Sequence, residues 1–266
     1  MAFKRIVVKV GTSTIAHTTG LPNIRHMENL VKVLSDIKNT GRDIVLVTSG
    51  AIGMGAGKMG YQTLPQSLAD RQACASVGQC ALMKIYDNLF SEYNHMVSQI
   101  LLTQNVMDGG EHQTNTVNTF NALLYKNVLP IVNANDTIST KEIEFGDNDT
   151  LSATVSTLID ADILVIMTDL DGMYNCNPKN NENAKLIDYI NTIDDELKEA
   201  AKGEKSALGT GGMVTKLNAA AIAAEKNIPT FIMNGAYPER VYGIFDGELK
   251  GTFIDLGKRF YNLKIG

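Results

Sequence analysis

One lysine stands inside an otherwise apolar segment near the N-terminus. Lys9 interrupts the Ile and Val run of residues 6–10, and Gly11-Thr12-Ser13 follows directly. Burying an ammonium group is costly unless it meets an anion. The glycine and hydroxyl residues after it could present backbone N–H groups to the same anion. The pattern favours an anion site at the end of a strand. The alternative is an edge strand whose lysine reaches water.

A second lysine follows a glycine-rich stretch, Gly209-Thr210-Gly211-Gly212-Met213-Val214-Thr215-Lys216. Glycines let the backbone approach a ligand, and a helix N-terminus offers free N–H groups and a positive dipole end. Lys216 at the start of the predicted helix opposes this dipole unless an anion is shared there. The spacing is not that of a Walker A motif. We predict a phosphate site of another kind, with a flexible loop and a solvated lysine as the alternative.

Asn and Asp residues cluster in two further segments. Asn133-Ala134-Asn135-Asp136 follows a predicted strand, and Gly146-Asp147-Asn148-Asp149 opens a predicted helix. Asx residues at a helix start commonly cap it, and capping alone stays open as their role. Three in succession exceed what a cap needs, so one Asp is expected to hold an ammonium group of a substrate or a lysine. Two lysines with flanking carboxylates suit phosphoryl transfer, which depends on positioning and charge neutralisation. ATP with Mg²⁺ is the natural donor.

A third glycine-rich segment spans residues 50–60. Its part Gly55-Ala56-Gly57-Lys58-Met59-Gly60 matches a dinucleotide-binding pattern by letter. The match begins several residues after the preceding strand and lacks a well-placed acid about 20 residues on. We therefore expect a mobile lid or a substrate loop here. The histidines show no metal-ligand spacing, and no metal site is predicted.

Six short β-branched apolar runs predict buried strands, at residues 5–10, 43–48, 96–101, 128–132, 163–168 and 230–233. Segments with helical spacing lie between them, at residues 23–40, 149–159 and 213–226. This alternation indicates an α/β fold with a mainly parallel sheet covered on both faces. Ligands bind such sheets beyond the carboxyl ends of the strands, where the polar segments above fall.

Composition limits the classes of function. The chain has 266 residues, of which 44% are hydrophobic and 20% charged, and its net charge is −5. These values are typical of a soluble globular protein, and the acidic balance disfavours nucleic-acid binding. Three cysteines without paired spacing indicate a reducing compartment. No signal peptide or membrane span is apparent, so we expect a cytoplasmic protein that does not bind membranes.

Six blocks together resemble the amino-acid kinase family, and their combination is similar to its glutamate 5-kinase branch. They are Val8-Lys9-Val10-Gly11-Thr12-Ser13, Val47-Thr48-Ser49-Gly50-Ala51-Ile52, Asn133-Ala134-Asn135-Asp136, Gly146-Asp147-Asn148-Asp149, Thr168-Asp169 and the stretch 209–216. The resemblance runs from about Lys4 to the end. It implies a three-layer αβα sandwich around a mainly parallel sheet. It also implies one kinase domain over residues 1–266, with substrate bound by its N-terminal part and nucleotide by its C-terminal part, and without the PUA domain that many relatives carry.

The activity that this resemblance implies is that of a phosphotransferase with a carboxyl group as acceptor. ATP would phosphorylate the γ-carboxylate of L-glutamate in the first step of proline biosynthesis. Mg²⁺ would assist, proline would act as a feedback inhibitor, and the chain would form a homo-oligomer, a dimer or a tetramer.

Site residues are implied by the same resemblance. Lys9 and Lys216 would neutralise the transferring phosphoryl group, and Asp149 would orient them. Glutamate would be bound by Ser49, Asp136 and Asn148, with Asp136 on its α-ammonium group. The nucleotide would be held by Lys9, Thr168, Asp169, Thr210, Gly211, Gly212, Met213, Val214, Thr215 and Lys216. The chain departs from the family at Asn177, where relatives usually carry Asp before Pro.

The residues alone leave two rival functions open. The first rival is a kinase for another small acid, such as N-acetylglutamate, aspartate or carbamate; Asp136 disfavours an acylated amine, which offers no cation. The second is a non-catalytic amino-acid sensor.

The α-carboxylate of the substrate has no partner in the motifs. None of the six arginines lies in the motifs, so backbone N–H groups or helix ends are expected to bind it.

Overall fold

A computed structural model describes residues 3–103, 106, 109–138, 148–178, 180–201 and 212–257. Within these ranges eight strands form one sheet, in the order β3-β4-β2-β1-β5-β7-β8-β6. The strands are β1 Arg5–Val10, β2 Asp43–Val47, β3 Val97–Leu102, β4 Leu129–Ala134, β5 Ile163–Thr168, β6 Tyr189–Ile190, β7 Thr230–Asn234 and β8 Thr252–Ile254. Only the pairing of β7 with β8 is antiparallel among the described strands.

Helices connect the strands and cover the sheet. They are α1 Thr12–Ile15, α2 Ile24–Asn39, α3 Ala51–Lys58, α4 Leu68–Ser91, α5 Gly110–Tyr125, α6 Asn148–Leu158, α7 Asp195–Ala201, α8 Met213–Ala224 and α9 Gly243–Asp246, with a 3₁₀ turn at Pro238–Tyr242. The side chain of Asn23 caps α2 by accepting a hydrogen bond from the backbone N–H of His26. None of the described helices is both long and apolar enough to cross a membrane.

The alternation of side chains along β1 separates two cores. Val8 and Val10 join the core formed with α2 and α4, whereas Val7 joins the core formed with α5, α6 and α8. Successive side chains of a strand point to opposite faces, so Lys9 shares the face of Val7. The three-layer αβα arrangement with a mainly parallel sheet is therefore confirmed. It directs Lys9 toward α6 and α8.

The strand that carries Lys9 is central. β1 lies between β2 and β5, with Lys9 opposite Val47 on one side and Ile166 on the other. The alternative of a lysine on an edge strand is therefore wrong. All six strands expected from the sequence are present, with ends displaced by no more than two residues. The short strands β6 and β8 were not predicted, because runs of two and three residues carry little periodic signal.

The sequence predicted a mobile lid or a substrate loop at residues 50–60. The prediction of a loop is wrong, although several of these residues line the cleft at the carboxyl ends of the strands. Most of this segment is α3, which packs closely against α4. A Cβ added at Gly55 would lie 1.8 Å from the carbonyl oxygen of Cys74, and one at Gly78 would lie 1.7 Å from that of Ala51. The glycines thus allow two helix backbones to touch. Gly50 has a different role, since its φ of +89° makes the turn from β2 into α3.

Candidate active site

The centre of the site is a carboxylate between two lysines. Asp149 Oδ1 lies 2.6 Å from Lys9 Nζ, and Asp149 Oδ2 lies 3.1 Å from Lys216 Nζ. Three separate elements supply these residues: β1 supplies Lys9, the first turn of α6 supplies Asp149, and the first turn of α8 supplies Lys216. The carboxylate is fully buried, and the two lysines are 7% and 5% exposed. With both lysines charged, the three groups carry one surplus positive charge, which suits an anion.

The charge state of Asp149 follows from its neighbours. Burial by itself would raise the pKa of this carboxyl, but the adjacent Lys9 and Lys216 ammonium groups outweigh burial and hold its pKa well below the usual range. A negative charge in the first turn of α6 also lies at the positive end of the helix dipole. Asp149 is therefore ionised at neutral pH, and it holds both lysines in place.

Hydroxyl and carbonyl groups complete this cluster on the α8 side. Thr215 Oγ1 lies 2.8 Å from Asp149 Oδ2 and 2.7 Å from the carbonyl oxygen of Gly212. One hydroxyl proton can serve only one of these acceptors at a time. The carbonyl oxygen of Gly212 is also 3.4 Å from Lys216 Nζ. The start of α8 is thereby tied to α6.

The residue before Asp149 contacts the ends of two other strands. Asn148 Nδ2 lies 2.6 Å from the carbonyl oxygen of Thr48, 3.0 Å from Ser49 Oγ and 2.8 Å from Asn133 Oδ1. Thr48 and Ser49 follow β2, and Asn133 belongs to β4. Asn148 therefore fastens the N-terminus of α6 to the carboxyl ends of β2 and β4.

Seven of the twelve expected site residues that the structure describes line one cleft at the carboxyl ends of the strands. They are Lys9, Ser49, Asp136, Asn148, Thr168, Asp169 and Lys216. Two others lie elsewhere, since Met213 is buried in the core and Val214 lines a separate shallow groove with Leu217 and Asn218. Thr210 and Gly211 fall outside the described residues, as do Gly146 and Asp147. Asn177 is not among the described residues that line the cleft.

Two residues of α4 extend the site beyond the sequence motifs. Arg71 lines the cleft, where it adds a positive charge to those of Lys9 and Lys216. Gln79 is buried and bonded to Asn133. Neither was anticipated, because α4 has no sequence motif and reaches the site through long-range packing. The available signals in the sequence were the length of α4 and the presence of a glycine, Gly78, in its interior.

Metal ligands are not clustered in the described part of the chain. No three His, Cys, Asp or Glu side chains there are grouped in a way that could hold a metal ion.

Comparisons with known proteins show what the chain is similar to. A model of the amino acid kinase family matches residues 4–234. The glutamate 5-kinase of Clostridium perfringens (strain 13 / Type A) is 49% identical over 253 residues, covering 94% of both chains. That of Clostridium tetani is 46% identical and covers 95% of this chain and 94% of its own. That of Listeria monocytogenes serotype 4a is 45% identical and covers 94% and 92%.

Solved structures show the same fold at low identity. The isopentenyl phosphate kinase of T. acidophilum superposes with a TM-score of 0.65 at 19% identity, covering 94% of this chain and all of the other. The UMP kinase of Bacillus anthracis has a TM-score of 0.62 at 17% identity, covering 96% and 97%. With the family model spanning most of its length and curated relatives near half identity, the chain belongs to the amino acid kinase family.

Proposed function

We propose that this protein is a glutamate 5-kinase, which transfers the γ-phosphoryl group of ATP to the γ-carboxylate of L-glutamate. The observation that carries the proposal is the buried pair of lysines on Asp149, directly beside Asn148 and Ser49. The names of the curated relatives support the choice of glutamate.

The reaction asks for charge neutralisation more than for proton transfer. A γ-carboxylate, with a pKa of about 4.3, is already an ionised nucleophile at neutral pH. One of its oxygens bonds to the γ-phosphorus of ATP as the bond from that phosphorus to the β–γ bridging oxygen breaks, giving γ-glutamyl 5-phosphate and ADP. Negative charge accumulates between donor and acceptor, and Lys9 and Lys216 are placed to stabilise it. Asp149 keeps the two ammonium groups apart and aligned.

Substrate recognition requires partners for two further charges. Asp136 would pair with the α-ammonium group, and the hydroxyl of Ser49 would donate to a substrate oxygen. For the α-carboxylate we assign Arg71, whose guanidinium can bind a carboxylate through two parallel hydrogen bonds. A substrate with one cation and two anions would thus meet groups of opposite sign.

We place the nucleotide near Thr168, Asp169 and the start of α8. Thr168 ends β5, Asp169 follows it, and both line the same cleft, while the start of α8 would offer its N–H groups to phosphate. Substrate would thus be bound by the N-terminal part of the chain and nucleotide by the C-terminal part. Mg²⁺ would accompany ATP, bound mainly by phosphate oxygens and water, and would neutralise phosphate charge.

Regulation and assembly belong to the same proposal. Proline shares the α-carboxylate and a charged α-nitrogen with glutamate, so it would compete for Asp136 and Arg71 and raise the apparent KM for glutamate. The chain would act as a homo-oligomer in the cytoplasm, and light scattering at working concentrations would measure its size.

The decisive experiment measures ADP release with Mg²⁺-ATP across L-glutamate, N-acetyl-L-glutamate, L-aspartate, carbamate and UMP. We expect turnover with glutamate alone and its suppression by added proline. Turnover with another acid instead would keep the two-lysine chemistry but overturn the substrate. If glutamate binds but no acid is turned over, the protein is a sensor and not a kinase.

A further inference from the structure

A row of amide side chains runs from the substrate side of the cleft back into α4. Asn133 Nδ2 donates to Gln79 Oε1 at 2.9 Å, and Gln79 Nε2 donates to Gln99 Oε1 at 2.9 Å. Gln79 and Asn133 are only 8% and 2% exposed, whereas Gln99 on β3 is exposed to solvent. Gln79 therefore links the buried Asn133 amide of the site to the solvent-exposed Gln99 amide.

Backbone groups decide which way these amides point. Asn133 Oδ1 accepts a hydrogen bond from the backbone N–H of Ala134 at 2.9 Å. A backbone N–H can only donate, so the oxygen of the Asn133 amide must face it and the nitrogen must face Gln79. Gln79 in turn must present its oxygen to Asn133.

The same logic reaches Asn148. Its nitrogen faces two acceptors that cannot donate, the carbonyl oxygen of Thr48 and Asn133 Oδ1. The oxygen of the Asn148 amide is consequently turned away from both of them. It remains a hydrogen-bond acceptor for a donor such as the ammonium group of an amino acid, in the cleft that Asn148 lines.

We propose that Gln79 is a positioning residue of the substrate site, which holds the Asn133 amide in the orientation that the Ala134 N–H selects and, through it, supports the Asn148 amide. The inference rests on the proposed function, because it concerns binding of the phosphoryl acceptor. Gln79 touches no substrate. It supplies the Asn133 amide nitrogen with a buried hydrogen-bond acceptor. Without that acceptor the nitrogen would be left unpaired, or the amide would rotate until the nitrogen reached water. Rotation would turn its oxygen away from Asn148.

The test compares three variants by steady-state kinetics with glutamate and ATP varied separately. Gln79→Met keeps the length of the side chain and removes both polar atoms. Gln79→Glu retains an oxygen that accepts from Asn133. Gln72→Met is the matched control, since Gln72 is partly buried on the same helix and is not among the described residues that line the cleft. Thermal unfolding of each variant is measured alongside.

We expect Gln79→Met to raise KM for glutamate roughly tenfold, with KM for ATP changed less than about twofold, because one buried hydrogen bond on the acceptor side is lost. Gln79→Glu should stay within about threefold of wild type, since Asn133 keeps its acceptor. A folded Gln79→Met with unchanged KM for glutamate would overturn the inference, as would equal changes in both KM values.

Two further outcomes separate this inference from the proposed function. If wild type phosphorylates a different amino acid, glutamate is wrong as the substrate, and the same KM split on that amino acid still supports Gln79. If Gln79→Met does not fold, the inference is tested by comparing KM for glutamate between Gln79→Glu and an Asn133→Asp variant. A folded Gln79→Glu with glutamate KM raised as far as in Asn133→Asp would overturn the inference. A wild-type protein that neither phosphorylates nor binds any of the acids would overturn both proposals.

Discussion

Asn148 and Asp149 are consecutive residues whose side chains contact different sets of groups. Asn148 bonds to the ends of β2 and β4, whereas Asp149 bonds to Lys9 on β1 and to Lys216 on α8. The first turn of α6 therefore joins the part of the cleft assigned to the acceptor to the part assigned to the phosphoryl group. A small displacement of this turn would move both parts together, which is why the contacts that hold it matter for catalysis.

Removal of one lysine should slow the chemical step. We expect Lys216→Met to lower kcat by at least about 100-fold, because it removes one of the two groups to which we assign stabilisation of the transferring phosphoryl group. Glutamate binding, followed by calorimetry without ATP, should remain. Lys226→Met, at an exposed lysine just beyond α8, serves as the control. Retention of more than half of kcat in Lys216→Met would contradict the two-lysine mechanism.

Loss of the bridging carboxylate should cost stability in a pH-dependent way. Asp149→Asn leaves two buried ammonium groups without a counter-charge, which we expect to lower the free energy of unfolding by about 3–5 kcal/mol at pH 7. A carboxyl whose pKa falls on folding contributes its full stabilisation above its unfolded pKa, near 3.8. That contribution declines as the pH falls below this value toward the folded pKa.

Urea unfolding of wild type and Asp149→Asn from pH 8 to pH 3 measures this difference. It should stay constant down to about pH 5 and shrink below about pH 4. A difference that grows toward acid pH would mean that the pKa of Asp149 is raised instead.

The contact between α3 and α4 should tolerate no side chain at Gly78. We expect Gly78→Ala to destabilise the protein by about 2 kcal/mol or more, because the new methyl group would meet the carbonyl oxygen of Ala51. Gly53→Ala, on α3 with no atom near the added methyl group, should be neutral or stabilising by roughly 0.5–1 kcal/mol. Equal unfolding free energies for the two variants would argue against a tight helix contact.

The pairing of Asp136 with the α-ammonium group can be tested with a substrate analogue. Asp136→Asn should raise KM for glutamate at least about tenfold, since a charge-assisted hydrogen bond is weakened. With 2-hydroxyglutarate, which lacks the ammonium group, wild type and variant should differ little. An equal loss with both acids would place Asp136 elsewhere in the mechanism.

Arg71 is tested by removing the α-carboxylate from the substrate. Arg71→Met should raise KM for glutamate at least about tenfold and leave KM for 4-aminobutanoate, which lacks that group, almost unchanged. Arg25→Met, at an exposed position on α2, should match wild type. If Arg71→Met lowers activity equally on glutamate and on 4-aminobutanoate, the role of Arg71 is structural.

The sequence by itself determined the parallel α/β sheet, the position of Lys9 at the end of a strand and the family to which the polar segments belong. These features are local: periodicity places the strands, and parallel strands bring the segments after them to one edge. Lys9 and Lys216 could be selected from their local surroundings, and Asp149 from the family resemblance, although the three lie far apart in the chain.

Only the tertiary structure decided the parts that depend on helix packing. The glycines of residues 50–60 indicated a mobile lid or a substrate loop, yet most of the segment is α3, and Gly55 lets α3 touch α4. The packing of α4 brings Arg71 to the cleft and Gln79 to Asn133. No period or spacing in the sequence records which face of a long helix will meet a strand end, because that choice is made by long-range packing.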